Sequence, residues 1–248
     1  MDKIIDVQRL YAEIDGNEIL SDVSFCALEG EVTAIIGGSG SGKTTVLKHL
    51  LGLYPVSRGY VSVLGRSLAE LTEKEQRDLY LEMGVLYQDG ALLNSMTVAE
   101  NIALPLRHQG NIPEALTADI VRMKLRLVNL EDTYYLYPSQ LSGGMLKRAA
   151  LARAIAMDPP LLFCDEPGAG LDPASLESLD NLILNLKNLL GISVILVTHE
   201  VSSIVRTANR IVYLDNGRVL FEGSTDQALK SEIPQLADFF SVIRKKQS

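Results

Sequence analysis

The stretch Val32-Thr33-Ala34-Ile35-Ile36-Gly37-Gly38-Ser39-Gly40-Ser41-Gly42-Lys43-Thr44-Thr45 decides the fold class. A short apolar, β-branched run ends in a glycine-rich turn, and a helix is expected to begin near Thr44. Residues 37–44 fit G-x-x-x-x-G-K-[ST], the phosphate-loop pattern. The chemistry needs these residue types. Glycines let successive backbone N–H groups curl around a phosphate without Cβ clashes. A helix N-terminus adds its partial positive charge. Lys43 can reach the β- and γ-phosphates of a nucleotide, and the Thr44 hydroxyl suits Mg²⁺. A chance match in a chain of this length is on the order of one in a hundred. The strand–loop–helix context lowers that further.

Outward from this loop, strands alternate with helices, which predicts an α/β fold with a largely parallel sheet. Residues 3–36 read as short strands with a turn at Asp15-Gly16-Asn17, and residues 61–65 as another strand. Thr72 with Glu75, and Thr97 with Glu100, have the spacing of capping boxes. Residues 97–107, 117–129 and 143–157 read as helices with few strand signals between them, a shift toward an all-helical insert. Strand signals return at 161–164, 194–197 and 210–214. A hairpin is expected to turn at Asp215-Asn216-Gly217.

Two of these strands, and a further one expected at 84–87, end in residues that can do chemistry. Leu161-Leu162-Phe163-Cys164 runs into Asp165-Glu166. Carboxylates at the C-terminal end of a parallel strand face the crevice where ligands bind. Asp165 is placed to hold a Mg²⁺ shell, and Glu166 to take a proton from an attacking water. Alone, such a pair is often a solvated strand end; beside a phosphate loop it gains meaning. His199 follows the strand 194–197 and could hydrogen-bond a γ-phosphate or water, or be structural. Gln88 follows Gly84-Val85-Leu86-Tyr87; its amide oxygen could ligate Mg²⁺, although a glutamine at a strand end is commonly just a surface residue. Leu141-Ser142-Gly143-Gly144-Met145 precedes a helix. It offers a hydroxyl, flexible N–H groups and a helix dipole to an anion, or simply an N-cap.

Bulk properties narrow the class. The 248 residues carry a net charge of −8, with 47% hydrophobic and 22% charged residues. An acidic globular chain is a poor candidate for nucleic acid, where a basic face is expected. The opening residues 1–6 are interrupted by charge and lack the apolar core of a secretory signal. No apolar run reaches bilayer length, so a membrane role must come through a partner. Cys26 and Cys164 sit in apolar surroundings and are expected to be two buried, reduced thiols. Together these features point to the cytosol.

The ordered set of motifs resembles the ABC ATPase family along nearly the whole chain: phosphate loop at 37–44, Gln88, signature at 141–145, Asp165-Glu166, Asp172 and His199. The resemblance implies an ABC-type P-loop NTPase with a mostly parallel core sheet, an N-terminal antiparallel β subdomain and a helical signature subdomain. It implies one nucleotide-binding domain over 3–241, with its core at about 3–88 and 159–224, its helical part at about 89–158, and a flexible tail at 242–248. It assigns ATP to Gly37, Gly38, Ser39, Gly40, Ser41, Gly42, Lys43, Thr44, Thr45, Gln88, Ser142, Gly143, Gly144 and Asp172. Mg²⁺ falls to Thr44, Gln88 and Asp165, and catalysis to Glu166 and His199. In that family two copies clamp ATP head to tail, and the helical part receives a membrane partner's coupling helix.

Two departures from the family stand out. Met145 replaces the usual signature glutamine, and the adenine-stacking aromatic is missing near Glu13 and Ile14, with Tyr11 the nearest ring. Met145 is informative. Residues 141–154, Gln88-Asp89-Gly90-Ala91-Leu92-Leu93 and Ala103-Leu104-Pro105-Leu106-Arg107 are similar to the subgroup that serves MCE-protein phospholipid transporters, the MlaF type. That subgroup implies an MlaE-like permease, MCE-domain and STAS-domain subunits, and a peripheral place on the cytoplasmic face of the inner membrane. The alternatives are an ABC system for an amino acid or drug, a non-transport ABC ATPase, or a P-loop kinase or GTPase. The interval from Gln88 to Leu141 leaves no room for the coiled coil of repair ATPases. A single phosphate loop argues against the ribosome-acting members. Kinases and GTPases give Ser142-Gly143-Gly144 and His199 no obvious task.

Overall fold

The computed structural model describes residues 2–110 and 112–241. The tail expected at 242–248 lies outside the described residues. In chain order the elements are β1 (Lys3–Ile14), β2 (Asn17–Leu28), β3 (Val32–Gly37), α1 (Lys43–Leu50), β4 (Arg58–Val63), β5 (Arg66–Ser67), α2 (Glu73–Leu81), β6 (Met83–Leu86), α3 (Val98–Gln109) and α4 (Glu114–Leu127). There follow α5 (Gly143–Ala154), β7 (Leu161–Asp165), α6 (Pro173–Leu190), β8 (Ser193–Val197), α7 (Val201–Thr207), β9 (Arg210–Asp215), β10 (Arg218–Ser224), α8 (Thr225–Leu229) and α9 (Pro234–Phe239). They divide into two compact units, residues 1–76 with 193–248, and residues 77–192.

In the first unit the Asp15-Gly16 turn folds β1 onto β2 as an antiparallel hairpin. Asp15 and Gly16 both take positive φ, as a tight two-residue turn requires. With β4 and β5 they form an antiparallel sheet in the order β2-β1-β4-β5. β3 is buried along its whole length, as expected of a strand covered on both faces. It pairs in parallel with β8 on one side and β9 on the other, and β9 turns back into β10. That turn is Asn216-Gly217, with φ 45° and 74°, the hairpin expected from the sequence. α7, α8 and α9 close an apolar cluster of Ile36, Ile204, Ile211, Tyr213, Leu236 and Phe240.

In the second unit β6 and β7 pair in parallel. The three helices expected between residues 97 and 157 form, at 98–109, 114–127 and 143–154. Both capping boxes close: Thr72 with Glu75 in the first unit, and Thr97 with Glu100 in the second. Asn101, wholly buried on α3, binds the segment before that helix, with Oδ1 accepting from the Leu93 N–H and Nδ2 donating to the carbonyls of Leu93, Met96 and Thr97. Lys124 of α4 is wholly buried and reaches Asp158, just ahead of β7, at 2.5 Å. Among the described residues no helix is long and apolar enough to cross a membrane.

One expectation needs correcting. Cys164 is buried in β7, where burial pushes its thiol up, but Cys26 is only partly buried. Partial burial, and then the Glu222 carboxylate of β10 3.4 Å from its Sγ, raises its pKa. The local run looks apolar, but a strand shows alternate residues to opposite faces, and Cys26 falls on the face turned to Glu222.

Candidate nucleotide-binding site

The phosphate loop is built by what surrounds it in the first unit. Gly37 ends β3 with φ 150°, and a Cβ there would lie 2.1 Å from the Leu214 carbonyl oxygen, so no side chain fits. Gly42 caps α1 at φ 102° with no side-chain capping bond, which leaves the first N–H groups of the helix without a side-chain acceptor. Four such groups are orphaned at any helix start, and a helix start of this kind is a ready anion site. Lys43 Nζ donates to the carbonyls of Gly37 and Gly38 at 2.9 and 2.7 Å, which lays its ammonium over the loop. The Ser41 hydroxyl is buried with no hydrogen-bond partner. An orphaned buried hydroxyl in a ring of N–H donors fits a phosphate oxygen. Thr44 is exposed at the rim and Thr45 is buried one residue on. The β9–β10 hairpin braces the loop from behind: the Gly217 N–H donates to the Ser41 carbonyl, and the Ser21 N–H to the Gly217 carbonyl.

Register places His199 at the same edge. Ile35 of β3 pairs with Val197 of β8, so Gly37 and His199 each lie two residues beyond a matched pair. The His199 side chain is exposed, with Nε2 3.9 Å from the Glu200 carboxylate. Tyr11, the ring nearest in sequence to the expected adenine position, is already engaged: the Arg58 guanidinium lies 3.7 Å from its ring centre. Glu13 and Ile14 instead line a cavity of about 270 Å³ with His49 and Tyr54.

The second unit gathers the other residues by the same logic. Leu86 of β6 pairs with Cys164 of β7, which sets Gln88 and Glu166 at one edge, with Asp165 closing the strand. Glu166 has φ 44°, an uncommon state for a residue with a side chain and a form of strain that concentrates at functional sites. Its carbonyl accepts from Ala169 in a tight turn. Asp172 caps α6: Oδ1 accepts from the N–H groups of Ala174 and Ser175, and the Ser175 hydroxyl donates to Oδ2 at 2.5 Å. Those bonds, the Ser175 hydroxyl first, hold its carboxyl below the usual range.

Ser142 caps α5, its hydroxyl accepting from the Met145 N–H at 3.3 Å. Gly143 and Gly144 open that helix, and a Cβ on either would meet only ordinary contacts, at 3.9 and 3.8 Å. Two glycines in a first helical turn cost about 1 kcal/mol each relative to alanine. No contact within the chain excludes a side chain at either position. Among the described residues no cluster of three His, Cys, Asp or Glu side chains could hold a metal alone. A Mg²⁺ site does not require one, since that ion keeps waters and phosphate oxygens among its ligands. Sequence reading missed Lys147 and Arg153, which bind the backbone beside Gln88. The available signal was two long cations within a helix whose intervening Ala149, Ala150, Leu151 and Ala152 are apolar and buried.

Comparison with known proteins agrees with this geometry. The family model described as ABC transporter matches residues 20–169. The chain is 36% identical over 95% of its length to the intermembrane phospholipid transport system ATP-binding protein MlaF of Haemophilus influenzae, of which it covers 89%. It is 35% identical over 90% of its length to the methionine import ATP-binding protein MetN of Clostridium acetobutylicum, covering 69% of that protein. Among solved structures it resembles cbiO1 of Clostridium perfringens, part of the cbiONQ complex, with TM-score 0.84, 27% identity, and 99% and 94% of the two chains covered. The bacterial cassette MJ0796, solved as a dimer bound to ADP and phosphate, gives TM-score 0.80 at 28% identity over 89% of this chain and 98% of that one. Phosphate loop, signature helix and family match converge: the chain belongs to the ABC transporter family and is an ATP-hydrolysing cassette.

Proposed function

We propose that the chain powers phospholipid transport across a cell envelope, as the ATPase beneath an MlaE-like permease on the cytoplasmic face of the inner membrane. The observation that carries this reading is the match to MlaF along nearly the full length of both chains. Two copies pair head to tail, with ATP between residues 37–45 of one and Ser142, Gly143 and Gly144 of the other. Glu166 accepts the proton of the attacking water, and His199 holds the γ-phosphate. Thr44, Gln88 and Asp165 would hold Mg²⁺, which when bound neutralises charge developing between the β- and γ-phosphates. The nucleotide-binding domain spans 3–241, and its helical part, about 89–158, takes the permease's coupling helix. A cavity of about 180 Å³ lined by Glu100, Arg107, Tyr134 and Tyr135 supports a docking partner there, and Tyr135 is 77% exposed. MCE-domain and STAS-domain subunits complete the assembly.

The MetN relative supports methionine import as a second reading. Purifying the chain from its native membranes in mild detergent separates the two. An MlaE-like permease with an MCE-domain protein is the expected company. An amino-acid permease in its place would overturn the phospholipid reading and leave the ATPase intact.

The glycines of α5 give a second test. Gly144→Ala removes a helix-start glycine that the chain does not need, so the fold is expected to gain about 0.5–1 kcal/mol in denaturant titration. ATP-driven pairing is expected to fall at least about tenfold, because the added methyl stands where the partner's nucleotide approaches. A variant that is stabler and pairs normally would sink the role given to Gly144.

A further inference from the structure

We infer that Lys147 and Arg153 are positioning residues that tie Gln88 to the helix beginning at Ser142, so that one rigid piece of each chain touches both nucleotides of a pair. Lys147 is buried and its Nζ donates to the Gln88 carbonyl. Arg153, six residues further along α5, donates to the carbonyls of Ala91 at 2.6 Å and Gly90 at 2.8 Å. Gly90 and Ala91 both have positive φ, 73° and 51°, which turns the chain there. Gly90 is also packed against the helix: a Cβ would stand 2.8 Å from Leu146 Cδ2 and 3.2 Å from Ala150 Cβ. Asn101 pins the far end of the same loop at Leu93 and Met96. The Gln88 main chain is therefore fixed to α5, and the clamp leaves its amide free of these bonds.

Carbonyls held by cations in a partly desolvated setting form strong, directional bonds. The expected consequence rests on the head-to-tail pairing proposed above. Gln88 meets the nucleotide on its own phosphate loop, whereas Ser142 of the same chain meets the nucleotide on the partner's loop. A shift of α5 when Ser142 engages one γ-phosphate is carried by Lys147 and Arg153 to Gln88 at the other. The clamp is thus a coupling element between two sites, and its loss changes cooperativity before it changes affinity.

The test uses the full chain, with Lys147→Met and Arg153→Met singly and together. Methionine keeps the buried stem and removes the donor. Steady-state ATP hydrolysis is expected to lose its sigmoidal form, the Hill coefficient falling from near 2 toward about 1, with turnover down about tenfold. Binding of a fluorescent ATP analogue to the single phosphate loop changes less than about twofold, because no cradle residue is touched. Lys147→Arg, which restores a donor of similar reach, recovers the cooperativity. Where the double variant melts early, Arg153→Lys serves instead: it keeps the charge, cannot span two carbonyls, and gives an intermediate Hill coefficient. Unchanged cooperativity in a well-folded double variant, or in Arg153→Lys, overturns the inference. Glu166→Gln in the otherwise native chain serves as the control: absence of an ATP-dependent dimer there refutes the pairing itself, and the coupling role with it.

Discussion

Lys43→Ala is expected to weaken ATP binding by about 10²–10⁴-fold. The Lys43 ammonium already lies over the loop, 2.9 and 2.7 Å from the Gly37 and Gly38 carbonyls. From there it can turn to the β- and γ-phosphates with little motion. Two hydrogen bonds to charged oxygens are worth about 1.5–3 kcal/mol each, which sets the range. The fold should hardly notice, because the side chain is only partly buried and the strand, glycines and hairpin that shape the loop remain. Equilibrium dialysis with labelled ATP, beside a denaturant titration, reads both quantities. Native affinity in the variant would mean that the triphosphate does not sit in residues 37–45.

Glu166→Gln separates grip from chemistry. The amide has the shape of the carboxylate and cannot take a proton, so turnover should fall about 10²–10⁴-fold while ATP affinity holds. With hydrolysis stopped, the ATP-clamped pair should accumulate and elute as a dimer in ATP and as a monomer in ADP. The backbone at Glu166, held at φ 44° and bonded to Ala169, does not depend on the side-chain charge. A variant hydrolysing ATP at the parent rate would remove Glu166 as the base.

What the sequence showed and what it hid divide along one physical line. The phosphate loop, both capping boxes and the Asn216-Gly217 turn depend on residues a few positions apart, and all were legible. The helix after Leu141 was legible too, because Ser142 is a strong cap. Partners distant in sequence were hidden. Nothing near Cys26 announces Glu222, which is brought to it only when β10 folds back. Tyr11 offered a ring for adenine, but the strand pairing that sets Arg58 over it cannot be seen locally. Lys147 and Arg153 read as ordinary helix cations, since their partners are backbone carbonyls, which every residue has and no motif marks.

The bracing of the loop by the β9–β10 hairpin has a consequence for the order of events at the ribosome. β3 emerges early, but its neighbours β8 and β9 and the Gly217 amide that holds Ser41 come from the last part of the chain. A Cβ at Gly217 would stand 2.2 Å from the Ile19 carbonyl, so that late glycine is fitted against an early strand. A nascent chain halted before β9 carries every letter of the nucleotide motif but lacks the strand and the amide that brace its loop. Nucleotide capture therefore depends on β9 and the β9–β10 turn having docked, and ATP, binding the braced loop, draws newly made molecules toward the folded form.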